Sequence, residues 1–334
     1  MSLITGTTTI DPLVSVVIPC FNSQDFIEET LESVFAQKGV RFEVVAIDDG
    51  STDGTASLIQ ERFPQVKLTR TGNHGASAAR QLGTSLAQGD FIQYLDADDL
   101  LCPGKLQTQV AALCSEGADV AYGDFQKFQT FPDGSARVIE HAQRNLGEDP
   151  ECDLFFAAWC PPAVYLIRRT IVERVGSWHR NLPVIQDARF MVDCAYVGAR
   201  FVHCPGVMAQ YRTGSENSLS VRNRPAFLRD CFTNLQEVME RWSQTGAMSN
   251  RRRWALIDAA HHVAWGSVET ELFDQACDIV TRLGPGGPSG RGPWKRAAAR
   301  LLGYRRMAVS FSRARKVRAI IRSWPVYRHS VQHT

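Results

Sequence analysis

No stretch of this chain reaches the roughly 18 consecutive apolar residues that a membrane-spanning helix needs. The segment from Met1 to Pro12 lacks a basic start followed by an apolar core, so no secretory signal is expected there. Closely spaced cysteine pairs are missing too. The nine cysteines are scattered through apolar or helical contexts, which points to reduced, buried thiols in a cytoplasmic protein and not to a disulfide framework or a zinc site. No Gly-x-Gly-x-x-Gly follows the first expected strand, and no Walker sequence occurs; a nicotinamide enzyme or a P-loop ATPase is therefore not expected. Acidic residues are absent after Asp278, whereas 13 of the 37 Lys and Arg lie beyond it. Subtracting them leaves 24 basic against 35 acidic side chains up to Asp278, an acidic body with a strongly basic tail.

What is present suits a soluble globular protein: 334 residues, about two domains' worth, with 44% hydrophobic and 22% charged residues. Val14 to Pro19 reads as a buried strand ended by a proline. Asn22 or Ser23 is placed to cap the helix that follows, whose Phe26, Ile27, Leu31, Val34 and Phe35 share one stripe. Phe42–Ile47 is a second strand, a helix is expected from Thr55 to Phe63, and a short strand from Val66 to Thr71. The turn Gly72-Asn73-His74-Gly75 opens a helix from Ala76 to about Ala87, and Gly89-Asp90 leads into Phe91-Ile92-Gln93-Tyr94-Leu95. Strand alternating with helix four times over predicts βαβ units and a largely parallel sheet, in which ligands bind outside the carboxyl ends of the strands.

Those ends carry Asp48-Asp49 and Asp96-Ala97-Asp98-Asp99. Three carboxylates within four residues repel one another unless a cation neutralises them, and Asp is a poor strand former. In extended geometry Asp96 and Asp98 point to one side, where they can hold a hard divalent metal. A blander reading makes this an Asp-rich turn, with Asp99 capping the helix after Pro103.

The motifs Val-Ser-Val-Val-Ile-Pro-Cys-Phe-Asn, Asp-Asp-Gly-Ser-Thr-Asp-Gly-Thr, Asn-His-Gly-Ala-Ser-Ala-Ala-Arg and Leu-Asp-Ala-Asp-Asp, in this order and spacing, resemble glycosyltransferase family 2 over roughly residues 12–220. The resemblance implies an α/β GT-A fold, Rossmann-like, with a mostly parallel central sheet flanked by helices and, here, a C-terminal helical extension. It divides the chain into a GT-A domain (1–222, with a nucleotide-sugar half at 12–124 and an acceptor half at 125–222), a helical extension (223–283), and a Gly/Pro linker with a basic amphipathic tail (284–334).

It implies further that Asp49 accepts hydrogen bonds from the nucleotide base, with Asp48 nearer the interior and the backbone around Pro19, Cys20 and Phe21 flanking the base. Arg80 approaches the nucleotide or its diphosphate, or pairs with a nearby aspartate. Asp96 contacts the ribose or the metal's surroundings, and Asp98 ligates Mg²⁺ or Mn²⁺, with donor phosphates and waters completing the shell. Asp187, in Gln186-Asp187 where the family often has Glu-Asp, becomes the general base of an inverting transfer, unless it serves only as a helix cap. Tyr211-Arg212 resembles the family's closing segment, with Arg212 a cation for the diphosphate or part of a plain surface loop.

The partners expected are a nucleotide-sugar donor, a glycan or lipid-linked acceptor and, through the basic tail, an anionic membrane surface at the inner face of the cytoplasmic membrane. Nucleic acid is not expected. The alternative from another class is a non-catalytic nucleotide-sugar or glycan-binding component of a membrane-associated assembly. Residues 125–165 resist reading beyond the turn at Pro132-Asp133-Gly134, the aromatic patch from Phe155 to Trp159 and a strand from Ala163 to Ile167.

Overall fold

Runs of β-branched residues build the first strands. In β1 (Leu13–Cys20), Val14, Val16, Val17 and Ile18 are buried, and in β2 (Arg41–Asp48), Val45, Ala46 and Ile47 are buried likewise. Successive buried residues mean that both faces of these strands are covered, which is why their apolar runs do not alternate. The protein is described by a computed structural model covering residues 12–131, 133–214, 223–267 and 271–284. The expectations for the residues before Pro12 and for the basic tail lie outside the described residues.

The described residues form two compact units, the second starting at Asn223. The first unit runs through α1 (Ile27–Phe35), α2 (Thr55–Arg62), β3 (Lys67–Arg70), α3 (Ala76–Leu86) and β4 (Phe91–Tyr94). Strands β3, β2, β1 and β4 lie side by side and parallel, the arrangement expected from the strand–helix alternation. Helix α3 approaches this block closely at Gly83, where a Cβ would stand 2.4 Å from Val17 Cγ1, so no side chain fits there.

Beyond β4 the sheet becomes mixed. Strands β5 (Leu100–Leu101), β6 (Val120–Thr130), β7 (Ala136–Ala142), β8 (Leu166–Arg168) and β9 (Phe201–Arg212) complete it, with α4 (Lys105–Ser115), α5 (Pro150–Phe156), α6 (Arg169–Val175) and α7 (Gln186–Tyr196) between them. The order is β3-β2-β1-β4-β8-β6-β9-β5, with β7 beside β6. Strand β8 runs antiparallel to both neighbours, while β6 and β9 are parallel.

Three local expectations are corrected. The strand over Ala163–Ile167 shrinks to β8, because Pro162–Val164 form a 3-10 turn; Pro161 and Pro162 have no N–H for a ladder. Neither Asn22 nor Ser23 caps α1 with its side chain: Asn22 Oδ1 accepts from the Thr52 amide, and Ser23 Oγ donates to the Phe21 carbonyl. Helix α7 starts at Gln186, so Asp187 lies inside its first turn.

The second unit consists of α8 (Arg224–Gln244), α9 (Asn250–Gly266) and α10 (Glu271–Leu283). Phe232, Leu235, Val238 and Trp242 are buried along one face of α8. Asn223 and Ser249 cap α8 and α9 with their side chains. Among the described residues no helix is long and apolar enough to cross a membrane.

Candidate active site

The segment after β4 is a turn, not an extended strand. Asp99 N donates to the Asp96 carbonyl at 3.1 Å, Leu95 N is held by the Val17 carbonyl, and Thr30 Oγ1 of α1 holds the Ala97 carbonyl at 2.9 Å. Strand alternation therefore does not place Asp96 and Asp98 together; the turn does. Burial, with Asp96 beside it, pushes the Asp98 carboxyl up to about 6. Asp99 is fully buried and lies well above the usual carboxylate range, through burial first and the neighbouring Asp98 and Asp96 second. Asp99 does not cap a helix. Its Oδ1 accepts from the Arg212 amide at 3.0 Å, and Gly104 stands at the start of α4.

At the end of β2 the paired aspartates divide as strand geometry requires. Asp48 is 0% exposed and shares its oxygens between the Ser51 amide, 3.0 Å, and Arg70 Nε, 2.8 Å. Asp49 faces the 71–75 turn instead. Its Oδ1 accepts from Thr71 Oγ1 and the His74 amide, and its Oδ2 accepts from the Gly75 amide at 2.7 Å. A carboxylate offers about four lone-pair positions, so one on Oδ2 stays available. Pro19 lies in β1 opposite Ile47, and just beyond the strand Phe21 presents a ring that is 47% exposed.

Helix α3 begins directly after the Asp49-bound turn and brings Arg80 to the carboxylates. The Arg80 guanidinium, 4% exposed, pairs through Nη2 with Asp96 and lies 4.9 Å from the Trp178 ring centroid. Its Nε and Nη1 are buried without a hydrogen-bond partner. Trp178 stacks on Phe190 of α7 at 4.1 Å, and Tyr94 meets both rings edge-on. This aromatic floor gives the cation a desolvated bed with two unspent donors.

Asp187 joins the same cluster. Trp159 Nε1 donates to its Oδ2 at 3.3 Å. Burial raises the Asp187 carboxyl, Arg80 pulls it back, and Asp96 adds to the rise. A position in the first turn of a helix favours the ionised carboxylate, and burial outweighs that here. Tyr211 of β9 stands close enough to Asp99, Asp96, Asp187 and Asp98 for them to add to the burial that raises its hydroxyl. Asp96, Asp98, Asp187 and Arg80 are thus brought into one charged group. Trp159 and Trp178 were not legible as members of it, the first hinted at only by the Phe155–Trp159 aromatic patch, whereas the resemblance singles out Tyr211 with Arg212.

Arg212 departs from its expected place as a free cation. Its Nε donates to the Asp98 carbonyl at 3.0 Å, Nη1 to Thr130 Oγ1 at 2.7 Å, and Nη2 pairs with Glu29. With Phe26 and Phe128 rings against it, the guanidinium braces the aspartate turn from below. Its nitrogens are all committed to the protein.

The donor set decides what cation the site suits. Asp98 is partly exposed, whereas Asp96 is shared with Arg80 and Asp99 is buried. Among the described residues no three or more His, Cys, Asp or Glu are arranged to hold a metal. The crowded carboxylates fit a hard cation that takes most of its oxygens from a ligand, and not a closed all-protein cage.

Residues 15–176 match the family described as "Glycosyl transferase family 2". The chain is 40% identical over 105 residues, 30% of its length and 41% of the relative's, to a putative teichuronic acid biosynthesis glycosyltransferase, TuaG, of Bacillus subtilis (strain 168). The chain spans between about a third and a half of the length of the first curated relatives it matches. Two solved structures share the fold. Residues 1–349 of S. aureus TarS in complex with UDP-GlcNAc superpose with a TM-score of 0.55 at 15% identity, over 90% of this chain and 92% of that one. The mannosyltransferase PcManGT of Pyrobaculum calidifontis, in complex with GDP-Man and Mn²⁺, gives 0.56 at 19% identity, over 95% and 89%.

Proposed function

The chain carries a glycosyl transferase family 2 domain over residues 15–176, and from that premise we propose that it is an inverting glycosyltransferase moving one sugar from a nucleotide-diphosphate sugar to a hydroxyl of a glycan or lipid-linked acceptor. The observation that carries the reading is the meeting of Asp187 with Arg80 and Asp96. A candidate base lies within electrostatic reach of a candidate phosphate cation and of the aspartate paired with it, a proximity that suits a single displacement.

In this reading the nucleotide base lies against Phe21 and the Pro19 backbone, with the spare lone pair of Asp49 Oδ2 accepting from it. Arg80 directs Nε and Nη1 at the diphosphate while Nη2 stays on Asp96, which is near the ribose. Asp98, with Asp96, would hold Mg²⁺ or Mn²⁺. When bound, that cation neutralises charge on the departing nucleoside diphosphate. The acceptor hydroxyl oxygen bonds to the anomeric carbon as the bond from that carbon to the phosphate oxygen breaks, and the hydroxyl proton passes to Asp187. Arg80 stabilises the negative charge gathering on the leaving group. Arg212 acts from behind, holding the aspartate turn.

The polysaccharide assignment of the named relative makes a cell-envelope or exported glycan the acceptor class we favour. The basic tail would hold the enzyme at the inner face of the cytoplasmic membrane, where each cation near anionic lipid is worth about 1 kcal/mol. The test is a panel of UDP-glucose, UDP-N-acetylglucosamine and GDP-mannose with Mn²⁺, read by thermal shift and by slow nucleotide release. One nucleotide sugar should stabilise the protein and be hydrolysed. No shift and no release across the panel would overturn the reading.

A further inference from the structure

Asp187 lies one residue into α7, where backbone alone does not choose which carboxylate oxygen faces the cleft. One contact does so from another element. The indole of Trp159 donates its N–H to Oδ2 at 3.3 Å.

That indole is itself fixed. Helix α5 is capped at its start by Asp149, whose side chain accepts from the Cys152 amide. It closes with the Ala157 and Ala158 amides both bonding to the Asp153 carbonyl at 2.8 Å. Trp159 follows at once. Its carbonyl holds Arg144 Nε at 3.3 Å, and its ring meets Phe125 of β6 at 6.3 Å and Tyr211 of β9 at 5.4 Å, both edge to face. A donor braced by two strands and a helix end loses little freedom when it bonds, so its N–H is a pre-organised anchor.

We infer that Trp159 is the positioning residue of Asp187: its indole N–H holds Oδ2 and so turns the other carboxylate oxygen toward the acceptor hydroxyl. The inference rests on the reading of Asp187 as the base. The other groups facing Asp187 cannot substitute. Arg80 of α3, paired with Asp96 through Nη2, makes no hydrogen bond to the Asp187 carboxylate among the described contacts, Asp96 is itself an anion, and Tyr165 and Tyr211 lie near without such a bond either. The Ala188 amide bonds the carboxylate from its own helix, and among the described residues the indole is the one hydrogen-bond donor to it from another element. Loss of the N–H leaves a base that is present but turns between two orientations, one of them unproductive.

The test uses full-length protein labelled with ¹⁵N in its tryptophan indoles, with Trp159→Phe identifying the Trp159 signal among the seven. Asp187→Asn should move that signal and leave the other indoles in place. In the nucleotide-release assay with the panel above, Trp159→Phe should lower kcat about ten- to hundredfold with donor KM unchanged. Replacement of Trp159 by 3-benzothienylalanine, which keeps the shape and lacks the N–H, should do the same and covers the case in which the phenylalanine variant folds poorly. Because the two residues act as one unit, the double variant with Asp187→Asn should be no slower than Asp187→Asn alone. An unmoved indole signal, parent-like kcat in the benzothienyl protein, or additive losses would overturn the inference. Parent-like turnover in Asp187→Asn, or a panel silent with the parent protein, would count against the transferase reading instead, with the indole shift still deciding whether the contact exists.

Discussion

The guanidinium of Arg80, on the helix after β3, and the carboxylate of Asp96, just past β4, form a partly buried ion pair whose guanidinium lies over the face of Trp178. One nitrogen makes the pair, and the other two are buried without a hydrogen-bond partner. Arg80→Lys keeps the charge but cannot bond Asp96 and a phosphate in one plane. Nucleotide affinity should fall about tenfold to a hundredfold, the worth of one or two hydrogen bonds to a charged group. Calorimetry with the nucleotide selected by the thermal-shift panel checks it, and undiminished affinity would remove Arg80 from the phosphate site.

Asp187→Asn should reduce kcat by about 10² to 10⁴ while donor binding survives. The variant should be as stable as the parent or more so near neutral pH. A carboxyl whose native value is raised favours its neutral form in the fold, so ionisation withdraws stability as pH climbs from the unfolded value through the native one. Asparagine removes that loss. Melting curves across pH should converge at low pH and separate above it, with the variant higher.

Asp98, pushed up to about 6, competes with protons for any cation. The thermal shift produced by Mn²⁺ together with nucleotide should be small at pH 5, rise through pH 6 and level off above 7. Asp98→Asn should flatten that curve and leave the metal-free nucleotide shift unchanged. Chelation of the parent should imitate the variant.

Arg212→Met should act on stability before it acts on chemistry. It strips donors from the Asp98 carbonyl and Thr130 and frees Glu29, at a cost of about 2–3 kcal/mol. Differential scanning calorimetry should show the first unit melting about 4–10 °C lower. Reduced turnover without loss of stability would instead return Arg212 to the role of a ligand cation.

How much of this was legible in the chain follows from the reach of each interaction. The parallel block β3-β2-β1-β4 was legible because each strand is an apolar run and each helix an amphipathic stripe, both local patterns. Asp49, Asp96 and Asp98 stood out as charge out of place at strand ends, while Asp187 was singled out only by the family resemblance. The orientation of Asp98 was not, since the pleat of a strand was assumed where a turn runs from Asp96 to Asp99. The contacts of Arg212 with Thr130 and Glu29 were hidden because those partners lie 82 and 183 residues away, beyond any local pattern. Trp159 read as one member of an aromatic patch; its meaning depends on an oxygen 28 residues further on. Mixed pairing in the second half was equally hidden, because β8 is three residues long and carries too little sequence to announce its direction.

Asp49 grips the turn that starts α3 by three hydrogen bonds, and Arg80 lies five residues past the last of them, Gly75. Any molecule that draws on the fourth position of that carboxylate therefore pulls on the same lever that aims the guanidinium. In the proposed function, discrimination among bases and grip on phosphate become mechanically one adjustment, so changing residue 49 to alter donor choice should drag turnover along with it.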